Sequence, residues 1–364
     1  HLKNNMSNNN NEEDLDITKD YFLSLPEDDL LHILNNINCW DLIRGKRIFI
    51  SGATGFVGKW LLSSLLYANS KLMLGVEIYI LSRNSKNFLS SFPGLLDCKN
   101  ITCIDGNIRD FILDDNIKFD FAIHAATDVV QERPPIDIFD DCILGTRNFI
   151  KNIQQAGCER MLLLSSGAVY GKTPNSMNLI PEDFLGAPDP LDILSAYGEG
   201  KRASELISSM LAEEAGLSIS FARCFAFIGP FLPLDKHFAI GNFILDAMKD
   251  QPIIIKGDGT PMRSYLYSAD LTVWLWKILF NGDNLRAYNV GGDYQLSIRD
   301  LAKKVVSVLE SSSEITIKTP VDSLKAVQKY LPDLNRANNE LGLKAHFNLN
   351  SAILKTAHFN KDIY

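Results

Sequence analysis

The sequence predicts an α/β fold, in which a doubly wound, mostly parallel sheet is joined by a smaller, discontinuous α/β lobe towards the C-terminus. Short apolar runs rich in β-branched residues alternate with amphipathic helical stretches, as expected for such a sheet. A glycine-punctuated turn joins the first apolar run to the first helical stretch. Proline-containing loops cluster where the chain would leave the sheet to cover a ligand.

The glycine turn lies between the first predicted strand, residues 47–51, and a helical stretch at 59–67. Its glycines are Gly52, Gly55 and Gly58. Glycine permits positive φ and a close approach of the backbone, and the start of a helix presents unpaired N–H groups. The turn therefore predicts a pyrophosphate cradle of the kind found in Rossmann-type dinucleotide sites. A glycine-rich turn without a ligand is the alternative interpretation.

The second predicted strand, 76–81, ends in Ser82 and Arg83 with no acid at its tip. An NAD site usually has a carboxylate there that accepts from the ribose 2′-hydroxyl, whereas an arginine pairs with a 2′-phosphate. The arginine at this strand tip favours NADP as the cofactor. The alternative is that Arg83 is a solvated surface residue and that Ser82 tolerates NAD. Further apolar runs at 100–107 and 119–127 extend the sheet, with ligands expected at the carboxyl ends of its strands.

Ser166 ends a buried run at 160–166, where an α/β sheet presents side chains to a substrate. Tyr197 and Lys201 are one helical turn apart and share a helix face. Removal of hydride from an alcohol carbon requires a base for the hydroxyl proton, and a nearby ammonium favours a phenolate. We therefore expect Ser166 to hold the reacting oxygen, Tyr197 to transfer its proton and Lys201 to lower the pKa of the phenol. His124 is expected to be structural.

The glycine turn, the Ser-Ser-Gly-Ala-Val-Tyr-Gly strand end at 165–171 and the Tyr-x-x-x-Lys pair occur in the order of an extended short-chain dehydrogenase/reductase. More narrowly, residues 46–358 resemble the nucleotide-sugar epimerase/dehydratase group. Further matching segments lie at 223–230, 257–270, 288–292, 330–333 and 340–342. The resemblance implies that Ser166, Tyr197 and Lys201 form the catalytic set.

The resemblance also implies a nucleoside-diphosphate sugar as substrate, and the chain is expected to use NADP, with NAD as the alternative. The expected cofactor contacts are Gly52, Thr54, Gly55, Phe56, Val57, Gly58, Ser82, Arg83, Asn107, Ile108, Ala125, Ala126, Tyr197 and Lys201. The expected substrate contacts are Thr127, Gly167, Ala226, His237, Asn242 and Arg263. Arg263 suits a diphosphate because its planar fork donates two hydrogen bonds at once; a surface arginine is the alternative.

One sequence difference from the group reduces the number of reactions that the chain is expected to catalyse. Its 4,6-dehydratases carry an Asp-Glu pair after the catalytic hydroxyl residue, where this chain has Gly167 and Ala168, which do no acid–base work. The remaining set fits an epimerase or a 4-ketoreductase that transfers hydride at a sugar carbon, with carbon 4 expected. The alternatives are a 4,6-dehydratase or decarboxylase of the same group and, in another class, a non-catalytic dinucleotide-binding scaffold. His237 is a proton donor, a substrate contact or a surface histidine.

Composition fits a cytoplasmic enzyme. The net charge of −8 argues against nucleic acid or an anionic membrane as a partner. No apolar run approaches the roughly 20 residues of a membrane span, and the start has no signal-peptide pattern. The six cysteines show no framework spacing, so reduced thiols are expected, and no metal site is predicted. The resemblance implies a homodimer through the helix that carries Tyr197 and a helix near 143–150.

The chain is predicted to have three parts. Residues 1–45 form a polar N-terminal extension with a short helix before the first strand. Residues 46–225 form the dinucleotide-binding domain, which includes part of the substrate lobe at 172–195. Residues 226–364 are mainly the substrate-binding lobe, with sheet elements returning at 266–300.

Overall fold

The structure is a computed structural model and describes residues 24–126 and 132–364. The described residues form thirteen strands: β1 (Arg47–Ser51), β2 (Glu77–Ser82), β3 (Ile101–Asp105), β4 (Phe121–His124), β5 (Arg160–Ser166), β6 (Ser218–Cys224), β7 (Phe227–Ile228), β8 (Ile253–Ile255), β9 (Met262–Arg263), β10 (Leu266–Tyr267), β11 (Arg286–Val290), β12 (Leu296–Ser297) and β13 (Ile315–Ile317). They form ten α-helices: α1 (Glu27–Asn36), α2 (Phe56–Leu72), α3 (Ser85–Ser91), α4 (Pro135–Gln155), α5 (Ala196–Ala215), α6 (Ala239–Met248), α7 (Ser268–Asn281), α8 (Ile298–Val308), α9 (Asn335–Leu341) and α10 (Leu349–Asn360).

Seven strands form one sheet in the order β11-β6-β5-β4-β1-β2-β3, and each neighbouring pair is parallel. The order reverses between β1 and β4, which is the switch point where a doubly wound sheet opens a crevice for ligands. The predicted doubly wound parallel sheet is confirmed.

The side chains of β1 alternate between two apolar cores, one on each face of the sheet. Ile48 and Ile50 pack in the larger core, with α1, α2 and α7, whereas Phe49 packs on the other face, with α4 and α5. The ring of Phe49 stacks on Phe149 of α4, with centroids 5.2 Å apart. Because successive side chains of a strand point to opposite faces, a continuous apolar run such as β1 requires helices on both sides of the sheet.

A second layer covers the carboxyl ends of the sheet strands. It contains three two-stranded pairs: β7 with β10, β9 with β12 and β8 with β13. Single bridges between Ile180 and Pro332 and between Met262 and Lys329 bring remote parts of the chain into this layer. It is therefore assembled from several separate stretches of sequence.

The short helix expected before the first strand is α1, which packs against α2 and α7. Its buried Asp29 accepts hydrogen bonds from Tyr267 and from Lys355 of α10, and burial raises the pKa of this carboxyl against both partners. His32 lies 3.0 Å from the buried Asp270, which also accepts the backbone N–H of His346 at 2.8 Å. Polar contacts thus join the two ends of the described chain. Residues 1–23 of the predicted extension lie outside the described residues.

Across 24–126 and 132–364, no helix combines the length and the apolar content that crossing a bilayer requires.

Candidate active site

A cavity of about 1660 Å³ opens at the carboxyl ends of the parallel strands, between the sheet and the second layer. Every predicted catalytic and cofactor residue lines it, from Gly52 in the glycine turn to Lys201 in α5. The four described substrate residues on its wall are Ala226, His237, Asn242 and Arg263. The structure thus brings together residues that are more than 200 positions apart in sequence.

The glycine turn has the shape that its residues predicted. Gly52 has φ +73°, and a Cβ there would lie 2.6 Å from the carbonyl carbon of Ala125. A Cβ on Gly58 would lie 2.7 Å from the carbonyl carbon of Gly52. Glycine is therefore required at both positions, because other residues would push β1, β4 and α2 apart. Helix α2 begins directly after Gly55, so its first N–H groups are directed to the cavity, where a pyrophosphate would fit.

The tip of β2 contains Ser82 and Arg83. Ser82 is buried, and its hydroxyl accepts from the backbone N–H of Asn84 at 3.1 Å; the Arg83 side chain is exposed at the cavity edge. The neighbouring acid is Asp105 at the end of β3, whose carboxylate accepts the backbone N–H of Ser85 at 2.9 Å. Arg83 lines the cavity and Asp105 does not, so Arg83 is the charged residue of this strand tip on the cavity wall.

Ser166, Tyr197 and Lys201 come together at the end of β5 and the first turns of α5. Ser166 Oγ accepts from the backbone N–H of Ala168 at 3.0 Å, and its side chain is in hydrogen-bonding contact with the Tyr197 phenol. Lys201 Nζ lies 5.8 Å from the centroid of the Tyr197 ring and donates to the backbone oxygen of Leu164 at 2.8 Å. All three side chains line the cavity.

Burial dominates the electrostatics of this group. It raises the pKa of Tyr197, while the hydrogen bond with Ser166 acts in the opposite direction. Burial also lowers the pKa of Lys201. The sequence predicts that the ammonium lowers the pKa of the phenol, but desolvation is the larger effect here, because Lys201 is buried and Tyr197 is half-buried in the cavity wall.

His124 lies beneath this group rather than on the cavity wall. Its ring nitrogens lie 2.8 Å from Ser51 Oγ and 3.2 Å from Thr146 Oγ1, and its ring stacks on Phe149 at 4.6 Å. Burial lowers its pKa to about 3, so the ring is neutral at physiological pH. These contacts agree with the expected structural role.

The predicted substrate residues differ in how many of their polar groups already form hydrogen bonds within the protein. Arg263 donates to the backbone oxygen of Met262 at 2.9 Å, and its guanidinium carbon lies 5.6 Å from the centroid of the Tyr330 ring. The Asn242 side-chain NH2 donates to the backbone oxygens of Leu234 and Lys236, which occupies both of its hydrogens. His237 is exposed, with its ring 4.7 Å from that of Phe238.

The remaining two expected substrate contacts are Thr127 and Gly167. Thr127 lies outside the described residues. Gly167 is buried, because the rings of Phe225 and Tyr330 occupy the space that a side chain there would fill. A Cβ on Gly167 would lie 2.6 Å from Tyr330 Oη and 2.8 Å from Phe225 Cζ.

The site also contains residues that the sequence did not identify. Tyr330 lines the cavity and is in hydrogen-bonding contact with Ser166. Lys59, in the first turn of α2, lines it too, with its ammonium 4.8 Å from the centroid of the Phe231 ring. The available signal for Tyr330 was its place at the start of the matching segment 330–333, and for Lys59 its place directly after the glycine turn.

One group of three side chains of metal-binding type occurs among the described residues: His32, Asp270 and His346. These three residues lie outside the cavity, and the buried Asp270 accepts two backbone N–H groups as well as contacting His32. Through these contacts the cluster joins α1 and α7 to the C-terminal segment.

Sequence relatives of the chain are nucleotide-sugar enzymes. UDP-glucuronic acid decarboxylase 2 of Arabidopsis thaliana is 25% identical over 313 residues, which cover 85% of this chain and 67% of the relative. UDP-glucuronic acid decarboxylase 1 of Xenopus tropicalis is 25% identical over 317 residues, which cover 86% of this chain and 72% of the relative.

Solved structures share the fold. The UDP-glucose 4-epimerase of Thermotoga maritima, solved with UDP-glucose, superposes with a TM-score of 0.73 at 19% identity, covering 87% of this chain and 99% of its own. The dTDP-glucose 4,6-dehydratase DesIV of Streptomyces venezuelae, solved with NAD and TYD bound, superposes with a TM-score of 0.72 at 19% identity, covering 87% and 97%.

A family model described as the NAD dependent epimerase/dehydratase family matches residues 48–291, from the second residue of β1 to the residue after β11. The match spans more than half of the chain and contains the whole seven-stranded sheet apart from the first residue of β1. It includes the glycine turn, Ser166, Tyr197 and Lys201. With a match of this extent over a sheet of this order, the chain belongs to the NAD dependent epimerase/dehydratase family and is an enzyme of that family.

Proposed function

We propose that the protein transfers hydride at carbon 4 of a nucleoside-diphosphate sugar without eliminating water, as an epimerase or a 4-ketoreductase. The observation that carries the proposal is the Tyr197 phenol in contact with the Ser166 hydroxyl on the wall of the cavity that also contains the glycine turn. A hydroxyl pair of this kind holds and protonates an oxygen, and the glycine turn suits a dinucleotide beside it.

Each residue has a role in this reaction. Bound NAD(P) supplies or accepts the hydride. Ser166 donates to the sugar oxygen, and Tyr197 gives that oxygen a proton in reduction or removes one in oxidation. Lys201 sits one helical turn from Tyr197 and places a positive charge behind the phenol. Arg263, on the opposite lobe of the cavity, holds the diphosphate of the sugar nucleotide.

The residues next to Ser166 support a reaction without dehydration. Elimination of water across carbons 5 and 6 needs an acid and a base beside the reacting carbon. Gly167 and Ala168 offer neither, and the space over Gly167 is filled by Phe225 and Tyr330. These residues leave hydride and proton transfer at one carbon as the chemistry that the described site can perform.

A decarboxylase is the second candidate, since relatives at 25% identity are named UDP-glucuronic acid decarboxylases. Oxidation at carbon 4 places a ketone β to the carboxylate of a uronic acid, and a β-keto acid loses carbon dioxide readily. The same Ser166 and Tyr197 pair would perform the oxidation. The two candidates therefore share the first step and differ in what the substrate carries on carbon 5.

We also propose NADP as the preferred cofactor, because Arg83 stands at the tip of β2, although structural neighbours were solved with NAD.

The six cysteines of the described structure are free thiols, which supports a reducing, cytoplasmic location. A homodimer through α4 and α5 is supported by their exposed apolar side chains, among them Leu206 at 61% and Met210 at 54% exposure.

Product analysis tests the proposal. The purified enzyme is incubated with UDP-glucose, with UDP-glucuronic acid and with a 4-keto-6-deoxy sugar nucleotide, each with NAD and with NADPH. Stoichiometric NADPH oxidation with the keto sugar identifies a reductase, and inversion at carbon 4 without net redox identifies an epimerase. Carbon dioxide from the uronic acid replaces the proposal with the decarboxylase. Tyr197→Phe is the control: it should abolish every one of these conversions and retain cofactor binding.

A further inference from the structure

A lysine ammonium without an acidic partner lies beside the glycine turn. Lys59 follows Gly58 directly, in the first turn of α2, and its half-buried side chain lines the cavity with Gly55. Burial lowers the pKa of the ammonium, and no carboxylate in the part of the chain that the structure describes forms an ion pair with it. A positive charge held partly out of water without an ion-pair partner is unfavourable, which indicates that an anionic ligand supplies the partner.

Two aromatic rings hold this ammonium. Lys59 Nζ lies 4.8 Å from the centroid of the Phe231 ring and 5.7 Å from that of Phe92. The two rings meet edge to face, with centroids 6.1 Å apart, and Phe359 packs against Phe231 at 5.0 Å. The face of an aromatic ring attracts a cation but carries no net charge. The rings therefore fix the position of the ammonium and leave its charge to be neutralised by a ligand.

The backbone that carries one of these rings is in an unfavourable conformation. Phe231 has φ +72°, in the left-handed region that bulky side chains rarely adopt. The buried Trp60, next to Lys59 on α2, donates its indole N–H to the backbone oxygen of Pro230 at 2.8 Å. Two consecutive residues of α2 thus contact this turn, one through a hydrogen bond and one through the ring. Backbone strain that the surroundings hold in place is typical of ligand sites.

The location of Lys59 indicates which anion it meets. The chain has a net charge of −8, so local cations and N–H groups must attract an anionic ligand. Lys59 lies in the helical turn whose first N–H groups are directed to the cavity, where a pyrophosphate would fit. Arg263, the residue expected to meet the diphosphate of the sugar nucleotide, belongs to the second layer instead. A phosphate of the dinucleotide is therefore the matching ligand group.

Resting on the dinucleotide cofactor of the function proposed above, we propose that Lys59 binds a phosphate group of that dinucleotide, and that Phe92 and Phe231 hold the ammonium in place without neutralising it. An ammonium donates charge-assisted hydrogen bonds to phosphate oxygens. The phosphate is either the pyrophosphate, which NAD and NADP share, or the ribose 2′-phosphate, which NADP alone carries. Comparison of the two cofactors distinguishes these sources.

Isothermal titration tests the proposal on protein treated with charcoal to remove bound nucleotide. Lys59→Met keeps an unbranched side chain beside the two rings and removes the charge. It should raise the Kd for NADP about 10- to 100-fold, the loss expected for one charge-assisted hydrogen bond. An equal loss for NAD identifies the pyrophosphate, and a loss for NADP alone identifies the 2′-phosphate. Lys59→Arg should keep both Kd values within about threefold of the native values.

Lys71→Met is the matched control on the same helix. The Lys71 ammonium also lies over a ring, 5.3 Å from the centroid of Tyr67, but it has a carboxylate partner, Glu27, at 3.9 Å and does not line the cavity. This variant should leave the Kd for both dinucleotides unchanged. A loss of affinity as large as that of Lys59→Met would mean that any lysine of α2 contributes by general charge, and would reject a specific contact.

Stability without nucleotide separates ligand binding from packing. Nucleotide-free Lys59→Met should have the Tm of the native protein or a higher one, because the variant loses a charge that has no ion-pair partner. Its rise in Tm on adding NADP should be smaller than the native rise. A lower Tm for the nucleotide-free variant, or unchanged affinity for both dinucleotides, would overturn the proposal.

Titration with UDP tests the assignment to the dinucleotide. UDP affinity should be the same in Lys59→Met as in the native protein, and a loss for UDP with unchanged dinucleotide affinity would overturn the assignment. These measurements need no turnover. A protein that binds NADP through Lys59 but converts no sugar nucleotide would reject the proposed function and leave this contact in place.

Discussion

The glycine turn brings Gly58 against the backbone of Gly52. A Cβ on Gly58 would lie 2.7 Å from the carbonyl carbon of Gly52 and 2.6 Å from the Cα of Ala53. Real Cβ atoms do not approach backbone atoms so closely. The end of β1 and the start of α2 therefore pack at a distance that only glycine permits.

Alanine at position 58 should destabilise the whole domain. The methyl group would collide with the backbone of Gly52 and Ala53, so the strand and helix must separate, at a cost of about 1–3 kcal/mol. Gly55→Ala is the matched control, because a Cβ there makes an ordinary contact of 3.5 Å with the Gly52 oxygen. Thermal denaturation should show a lower Tm for Gly58→Ala than for Gly55→Ala. Equal Tm values would contradict the close packing.

Replacement of Arg83 should change which dinucleotide is preferred. Glutamate at this strand tip repels a 2′-phosphate and accepts from a ribose 2′-hydroxyl, so the ratio of kcat/KM for NADP to that for NAD should fall about 10- to 100-fold. Lys86→Glu, an exposed charge reversal in α3 away from the cavity wall, is the control and should leave the ratio unchanged. A ratio that does not respond to Arg83→Glu rejects the NADP assignment.

His124 should make the protein less stable in mild acid. Its folded-state pKa is lowered to about 3 by burial, whereas an unfolded histidine titrates near 6.5. Between these values the unfolded chain binds a proton that the folded protein does not, so stability falls as pH falls. From pH 7 to pH 5 this group costs about 2 kcal/mol.

His124→Gln removes that titration and is compared with the native protein by urea unfolding at both pH values. The native protein should lose about 2 kcal/mol more than the variant on going from pH 7 to pH 5. Parallel losses in the two proteins would mean that another group controls the acid response.

A charge on the α5 surface should prevent the proposed dimer. Leu206 and Met210 are one helical turn apart on α5, and Leu144 of α4 adds to the exposed apolar surface at 46% exposure. Leu206→Asp should yield a monomer in sedimentation velocity, whereas Leu354→Asp, an exposed change on α10, should leave assembly as in the native protein. A native protein that sediments as a monomer would remove the proposal directly.

Five of the seven sheet strands, β1 to β5, were predictable because each is a short apolar run with its own local signal. Observed β1 has the predicted bounds, and the run predicted at 119–127 is trimmed to Phe121–His124. Pairing ends where the chain turns into the cavity, so the described residues that flank this strand, 119–120 and 125–126, belong to loops. Local pattern also placed Ser166, Tyr197 and the glycine turn around one cavity, since strand ends of a parallel sheet converge.

Tyr330 was not predictable in this way. Its segment has no strong periodicity, and it reaches the site through single backbone bridges to residues 180 and 262, which no local pattern encodes. The burial of Gly167 could not be predicted for the same reason, because it depends on rings contributed from positions 225 and 330. Contacts between segments that are remote in sequence determine the positions of both Tyr330 and Gly167.

The pairing of Asp29 with Lys355 spans 326 residues and joins the first described helix to the last. Because Asp29 is translated 326 residues before Lys355, the ammonium that pairs with this buried carboxyl becomes available only after the elements between them have been made. The docked form of α1 therefore depends on a contact of very long range, and closure of so long a loop slows folding. Deletion of α10 would leave the buried carboxyl of Asp29 with the Tyr267 hydroxyl but without its ammonium partner.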